Sequence, residues 1–390
     1  MLRFLTAGES HGPGLSAILE GLPAGLHLTE AEVNAQLARR QRGFGSGERM
    51  HIEQDRVRLT GGVLGGRTTG APIAMQIKNQ DWANWRDREI EPMTIPRPGH
   101  ADLTGAIKYG YGDLRLALER ASARETAARV AVGAVCRRFL AEFGIVIGSY
   151  VVQIGPVLAR LPGGMGYAQR FLLAEENDVR CPDTGQAQAM RDAIGEAMAA
   201  GDTLGGVFEV AGLDVPPGLG SHVHWDRRLD ARLMMAVGSI PAVKGVEIGP
   251  AFENAARRGT EVHDEIWLEG RQLIRRTNRA GGLEGGMTTG QPVVVRAAMK
   301  PIATTLIPLG SVDLAAGEPA ETQYERSDIC AVPRAAVVGE AMVAFVLADA
   351  LIEKLGGDSL PEMQARLATL RRGSLDDMEM DDGTWRFHTT

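Results

Sequence analysis

Two histidines stand in surroundings suited to proton transfer. His11 lies between glycines in Gly8-Glu9-Ser10-His11-Gly12, where an imidazole at the end of a first strand can face a pocket and exchange a proton near pH 7. His100 lies in Arg97-Pro98-Gly99-His100-Ala101-Asp102, a loop fixed by proline and glycine in which Arg97 and Asp102 supply opposite charges to orient and tune the ring. The first motif also fits GxSxG, the nucleophile elbow of serine hydrolases. An elbow needs a sheet already several strands wide, and too little chain precedes Ser10 to build one.

Cations gather in the same stretches. Arg120 and Arg124 flank Ser122 at the start of a helix, and orphan N–H groups beside guanidinium make a ready site for phosphate or carboxylate. Arg39, Arg40, Arg42 and Arg49 surround the glycine-rich RGFGSGERM, Lys300 opens KPIAT, and Arg326 and Asp328 share ERSDICAVPRA. A chain of net charge −7 that concentrates arginine in glycine-bounded loops suits a small, multiply charged anion and not nucleic acid. Neither a P-loop nor a GxGxxG in a βαβ context is present, and His222 and His224 lack a third partner, so no metal is expected. Beside an enzyme acting on such an anion, the residue types leave open a non-catalytic anion-binding protein, the serine hydrolase being already discounted.

The elements that must position these groups are marked by their ends. Thr29 with Glu32, and Ser122 with Glu125, read as capping boxes, and Gly144 stops the second of these helices. Further helices are expected over 186–200, 226–237 and 335–355. The last is apolar on nearly every face over its first four turns and belongs in the core. Strands are short (RVRLTG, IVIGSYVVQIG, GGVFEVAGL, VKGVEIG) and do not alternate regularly with helices, which predicts α+β with antiparallel sheets. GGVLGGRTTGAPI from Gly61 returns as GGLEGGMTTGQPV from Gly281, each a glycine turn feeding a strand, and points to a duplicated half. Of 390 residues, 44% are hydrophobic, ample for a large core, and no run of 18 apolar residues or leader-like segment occurs; a cytoplasmic protein is expected, away from membranes. Three cysteines without a CxxC are expected to be reduced and structural. Residues 1–373 read as a single domain, followed from Ser374 to 390 by an acidic tail expected to be mobile.

Taken together, GESHG, RPGHAD, KYGYGDLRLALERASARET, AVKGVEIG, GGLEGGMTTGQP, KPIAT and RSDICAVPRA occur in an order that closely resembles the chorismate synthase family over residues 1 to about 350. The resemblance implies a lyase of the shikimate pathway that removes phosphate and a C6 proton from 5-enolpyruvylshikimate 3-phosphate, with reduced FMN required despite no net redox change. It implies a β-α-β sandwich of two antiparallel sheets around core helices, as a homotetramer. Carried over by position, His11, His100 and Asp328 are the catalytic groups. Arg120, Ala121, Ser122, Pro241, Ala242, Gly285, Lys300, Pro301, Ile302, Ala303, Thr304 and Arg326 fall on cofactor-binding segments, and Arg40, Arg49 and Arg124 on the substrate region. Ser46 stands where many members have arginine, which removes a cation that the 2′-phosphate of NADPH would want, and Ser327 stands where many have histidine. NADPH is therefore expected only as a possible reductant, with an external flavin reductase as a possible partner.

Overall fold

The computed structural model describes residues 1–46, 54–325 and 327–384. Its first sheet has β1 (Arg3–Ala7), β2 (Gly14–Glu20), β3 (Val57–Gly61) and β4 (Ile73–Lys78) in the order β1-β2-β4-β3. Its second has β5 (Val146–Ile154), β6 (Val157–Leu158), β7 (Gly206–Leu213), β8 (Val243–Ile248) and β9 (Val293–Met299) in the order β8-β9-β7-β5-β6. Every pairing in both is antiparallel. On the first sheet the apolar side chains alternate inward, as Leu15, Ala17 and Leu19 do on β2 and Ile73, Met75 and Ile77 on β4.

Helices α1 (Glu30–Gln41) and α2 (Thr126–Ala141) pack on the first sheet, and α3 (Leu229–Gly238) and α4 (Val332–Leu355) on the second. The pairs meet in the middle, where α2 crosses α4. The chain is thus α+β, with helices layered between antiparallel sheets. Helix α4 satisfies the length and apolarity of a membrane span, yet nine-tenths of its most apolar 18-residue stretch is buried inside the protein. It begins three residues before the expected start, with proline in its first turn. The Thr29 capping box forms as expected. Ser122 instead caps a 3-10 turn, Ala123–Glu125, before α2 begins, so the second expected box is absent. All three cysteines are free and buried.

The α2–α4 crossing depends on one glycine. A Cβ at Gly133 would stand 2.2 Å from Ala341 Cβ, so the helices touch backbone to backbone. Gly133→Ala is expected to lower stability by about 1–3 kcal/mol, read as a fall in thermal midpoint that Ala341→Gly partly restores. An unchanged midpoint would show that the crossing can open freely.

The two glycine segments form matching hairpins, Val63–Leu64 with Arg67–Thr68 and Leu283–Glu284 with Met287–Thr288. Their tips need left-handed backbone, at Gly65 and Gly66 (φ 57° and 75°) and at Gly285 and Gly286 (φ 59° and 83°). Thr68 Oγ1 donates to Pro23 O and accepts from Leu26 N, and Thr288 Oγ1 does the same with Pro216 O and Leu219 N. Beyond the body, Leu273 N donates to Gly373 O and Leu375 N to Arg271 O. The beginning of the acidic tail is therefore tied to the hairpin of Ile266–Glu269 and Gln272–Arg275 and is not a mobile end there.

Candidate active site

Loops and the ends of several helices line a cavity of about 690 Å³. His11, His100, Arg40, Arg97, Arg115, Arg124, Arg334 and Lys300 line it, together with Asp328. Each imidazole and several of the guanidinium groups have a carboxylate at their backs.

His11 sits in the loop between β1 and β2. Its Nδ1 is 2.7 Å from Glu119 Oε1 and its backbone N–H donates to Glu119 Oε2 at 2.7 Å. The ring lies on Trp85, with centroids 4.1 Å apart. Gly8 lets the loop close, because a Cβ there would meet Gly14 O at 2.3 Å. This GxSxG joins two antiparallel strands and not a strand to a helix, so it is not a nucleophile elbow. Buried Ser10 shares a 3.1 Å hydroxyl contact with Ser122.

His100 Nδ1 is 2.5 Å from Asp102 Oδ1, and Arg97 clasps the same carboxylate through Nε at 2.8 Å and Nη2 at 3.1 Å. Burial pushes the Asp102 carboxyl up, but His100 and Arg97 outweigh it and hold the group well below the usual range. Burial likewise raises Glu119, and its bonds from His11 bring it below its ordinary value. Both carboxylates are ionised at neutral pH, so each Nδ1 carries the hydrogen it donates and Nε2 is the nitrogen suited to exchange a proton in the cavity.

Arg40 and Arg124 converge on Asp55, whose side chain is fully buried: Arg40 Nη1 at 3.4 Å and Arg124 Nη1 at 2.5 Å. Burial pushes the Arg40 guanidinium down to about 10, Asp55 opposes this, and the charges of Arg124 and Arg334 reinforce it. Three guanidinium groups buried this close together favour an anionic ligand among them. Arg334 pairs with Asp328. Arg39, next to Arg40 in sequence, turns into the core and binds Glu340.

The cavity lining is also partly apolar. Leu118, Ile240, Met299, Ile302 and Val338 supply apolar surface, and Ala121, Ser122, Pro241, Ala242, Lys300, Ala303 and Thr304 complete it. Ala242 is held at φ 67°, an uncommon conformation for a residue with a side chain, and its carbonyl accepts from Lys300 N. Pro301 lies between lining residues without itself lining the cavity.

Two expected site residues are elsewhere. Arg120 is exposed and donates to Thr6 O and Oγ1, because the turn of helix that brings Ala121 to the cavity carries residue 120 to the other side. Gly285 occupies a hairpin tip beside His222 and Met287. Arg49 and Arg326 lie outside the described residues. Ser327 lines the cavity, whereas Ser46 does not and donates to Gly43 O. Sequence reasoning missed Trp85, Arg115, Arg334, Asp55 and Glu119. Only Trp85, in a chain with five tryptophans, carried a visible signal.

A cavity walled by arginines, with two carboxylate-backed imidazoles, defines an enzyme that moves protons on a small polyanion. The chorismate synthase family profile matches residues 2–352. Chorismate synthase of Desulforudis audaxviator is 58% identical over 373 residues, covering 93% of this chain and 95% of that protein. Chorismate synthase of Aquifex aeolicus is 55% identical over 382 residues, covering 94% and 96%. A solved structure described as "Crystal Structure of Chorismate Synthase" superposes with a TM-score of 0.77 at 48% identity, over 94% of this chain and 96% of that one. The chain belongs to the chorismate synthase family.

Proposed function

We propose that this cavity is where 5-enolpyruvylshikimate 3-phosphate loses its phosphate and one C6 proton to give chorismate, with reduced FMN as the second occupant. The chain is a phosphate-eliminating lyase of aromatic amino-acid biosynthesis. What is proposed is the assignment of roles to its residues. Arg40, Arg124 and Arg334 bind and orient the anionic groups, and Arg97 keeps His100 and Asp102 in register. His11 and His100 hold and deliver protons at Nε2, while Asp328, paired with Arg334, helps relay the C6 proton. Ala121, Ser122, Pro241, Ala242 and Lys300 to Thr304 hold the flavin, and the apolar wall and the left-handed backbone at Ala242 fit such a ring. When bound, reduced flavin supplies electron density for phosphate departure that no side chain supplies. C–O cleavage sends the electron pair to phosphate and C–H cleavage provides the new double bond, so no net oxidation occurs. The observation that carries the reading is the pair of carboxylate-backed histidines among paired arginines.

We infer that FMN reduced by another protein sustains turnover and that NADPH does not. Ser46 donates within its own loop and offers no cation to a 2′-phosphate. Under anaerobic conditions, chorismate is expected after dithionite or photoreduction of FMN, and none with NADPH and oxidised FMN alone. Sustained product in the second mixture refutes the reductant inference; no product in either overturns the assignment of the cavity. A cytoplasmic homotetramer is the assembly proposed. With the two-residue edge strand β6 set aside, the strand orders β1-β2-β4-β3 and β5-β7-β9-β8 match, and with equivalent threonine clasps they support descent of the halves from one duplicated unit.

A further inference from the structure

We propose that Glu119 is a positioning residue for proton transfer at His11, acting through the imidazole and never on the substrate. The inference rests on the reading of His11 as an acid/base group of the proposed reaction. Glu119 is absent from the cavity wall, whereas His11 is part of it. The carboxylate spends both oxygens on one residue, Oε1 on Nδ1 and Oε2 on the backbone N–H, and the Glu119 carbonyl accepts from Ser10 N at 3.1 Å. The helix Arg115–Ala121 thereby grips the loop at three points.

The ring is held by two different groups. Glu119 fixes which nitrogen bears hydrogen, and Trp85 fixes the ring plane. Trp85 is itself anchored, its Nε1 donating to the buried Asp81 at 3.1 Å. His100 is held differently: its partner Asp102 also satisfies Arg97, so that negative charge is shared with a guanidinium. Glu119 makes no ion pair with an arginine among the described residues, and Arg115 acts on it only through space. Its charge is therefore devoted to His11, and it stabilises the doubly protonated ring formed when Nε2 takes up a proton.

The test compares Glu119→Gln, His11→Ala and the double variant by phosphate release with saturating reduced FMN. Glu119→Gln keeps the shape and removes the charge. It is expected to lower kcat by roughly 10–10²-fold, with the substrate KM and the FMN Kd within about twofold of wild type. The double variant is expected to match His11→Ala, because a group that works through His11 has nothing to act on once the ring is gone. Wild-type kcat in Glu119→Gln, or a further loss in the double variant, overturns the inference while leaving His11 in place. Wild-type turnover in His11→Ala overturns the underlying reading instead. Should Glu119→Gln fail to fold, Glu119→Asp carries the test: a reduced kcat at unchanged KM supports positioning, and an unchanged kcat refutes it.

Discussion

Replacing His100 with alanine is expected to lower kcat by about 10²–10⁴-fold, the usual contribution of a positioned acid or base, and His11→Ala by a similar factor. The fold should survive both changes. Asp102 keeps its clasp from Arg97 when His100 is removed, and Glu119 keeps the backbone N–H of residue 11, so neither variant strands a buried charge. FMN binding should change little, because the apolar wall and the Ala242 turn are untouched. Anaerobic turnover with saturating reduced flavin is the measurement. Wild-type rates in both variants would remove the histidines from the chemistry.

The second large effect concerns stability. Glu340, in the third turn of α4 and 1% exposed, accepts from Arg39 of α1, Arg137 of α2, Arg180, and Ser149 of β5. Burial pushes this carboxyl up, yet Arg137 and Arg39 overcome that and hold it at about 2. Because the folded value is depressed from 4.5, the stabilisation is complete above about pH 4.5 and drains away as pH falls toward 2. Glu340→Gln leaves three arginines facing a neutral amide, and at pH 7 is expected to cost about 3–5 kcal/mol. Urea midpoints should show the variant far below wild type at pH 7 and closer to it at pH 3. Parallel pH curves for the two proteins would show that the ion cluster does not hold the layers together.

Much of this was legible in local sequence, and the limit falls where contacts become long-range. Thr29 and Glu32 announce a helix start because three residues suffice to make the box, and the TTG hairpins declare themselves through glycines whose left-handed φ few other residues accept. His11 and His100 were visible for the same reason: their loops are built by neighbouring glycine and proline. Nothing local distinguishes Arg39 from Arg40, yet the turn of the helix sends one to Glu340 and the other to the cavity. Asp55 and Glu119 were invisible because each meets its partner across a long stretch of chain, and a carboxylate acquires such a role only after folding. Ser122 and Glu125 had the right spacing for a capping box, but the Ser10 contact and a tighter turn prevailed. Arg120 and Gly285 lie in segments that match the family, yet neither lines the cavity, a distinction that motif matching does not make.

Helix α4 sits at the centre of the packing but late in the chain, and this has a consequence for the newborn polypeptide. As the ribosome delivers residues in order, both sheets and α1, α2 and α3 emerge before Val332. Until then the face of β5 and β7 that α4 covers and the Gly133 side of α2 wait for it, because Leu347 and Ala341 are still to come. The apolar slot that α4 fills stays open until residues 332–355 have left the exit tunnel, after every element of both sheets. Such an intermediate exposes a long greasy groove and invites chaperones or aggregation, and a nascent chain halted before residue 332 holds the pieces of the sandwich without the helix that joins them.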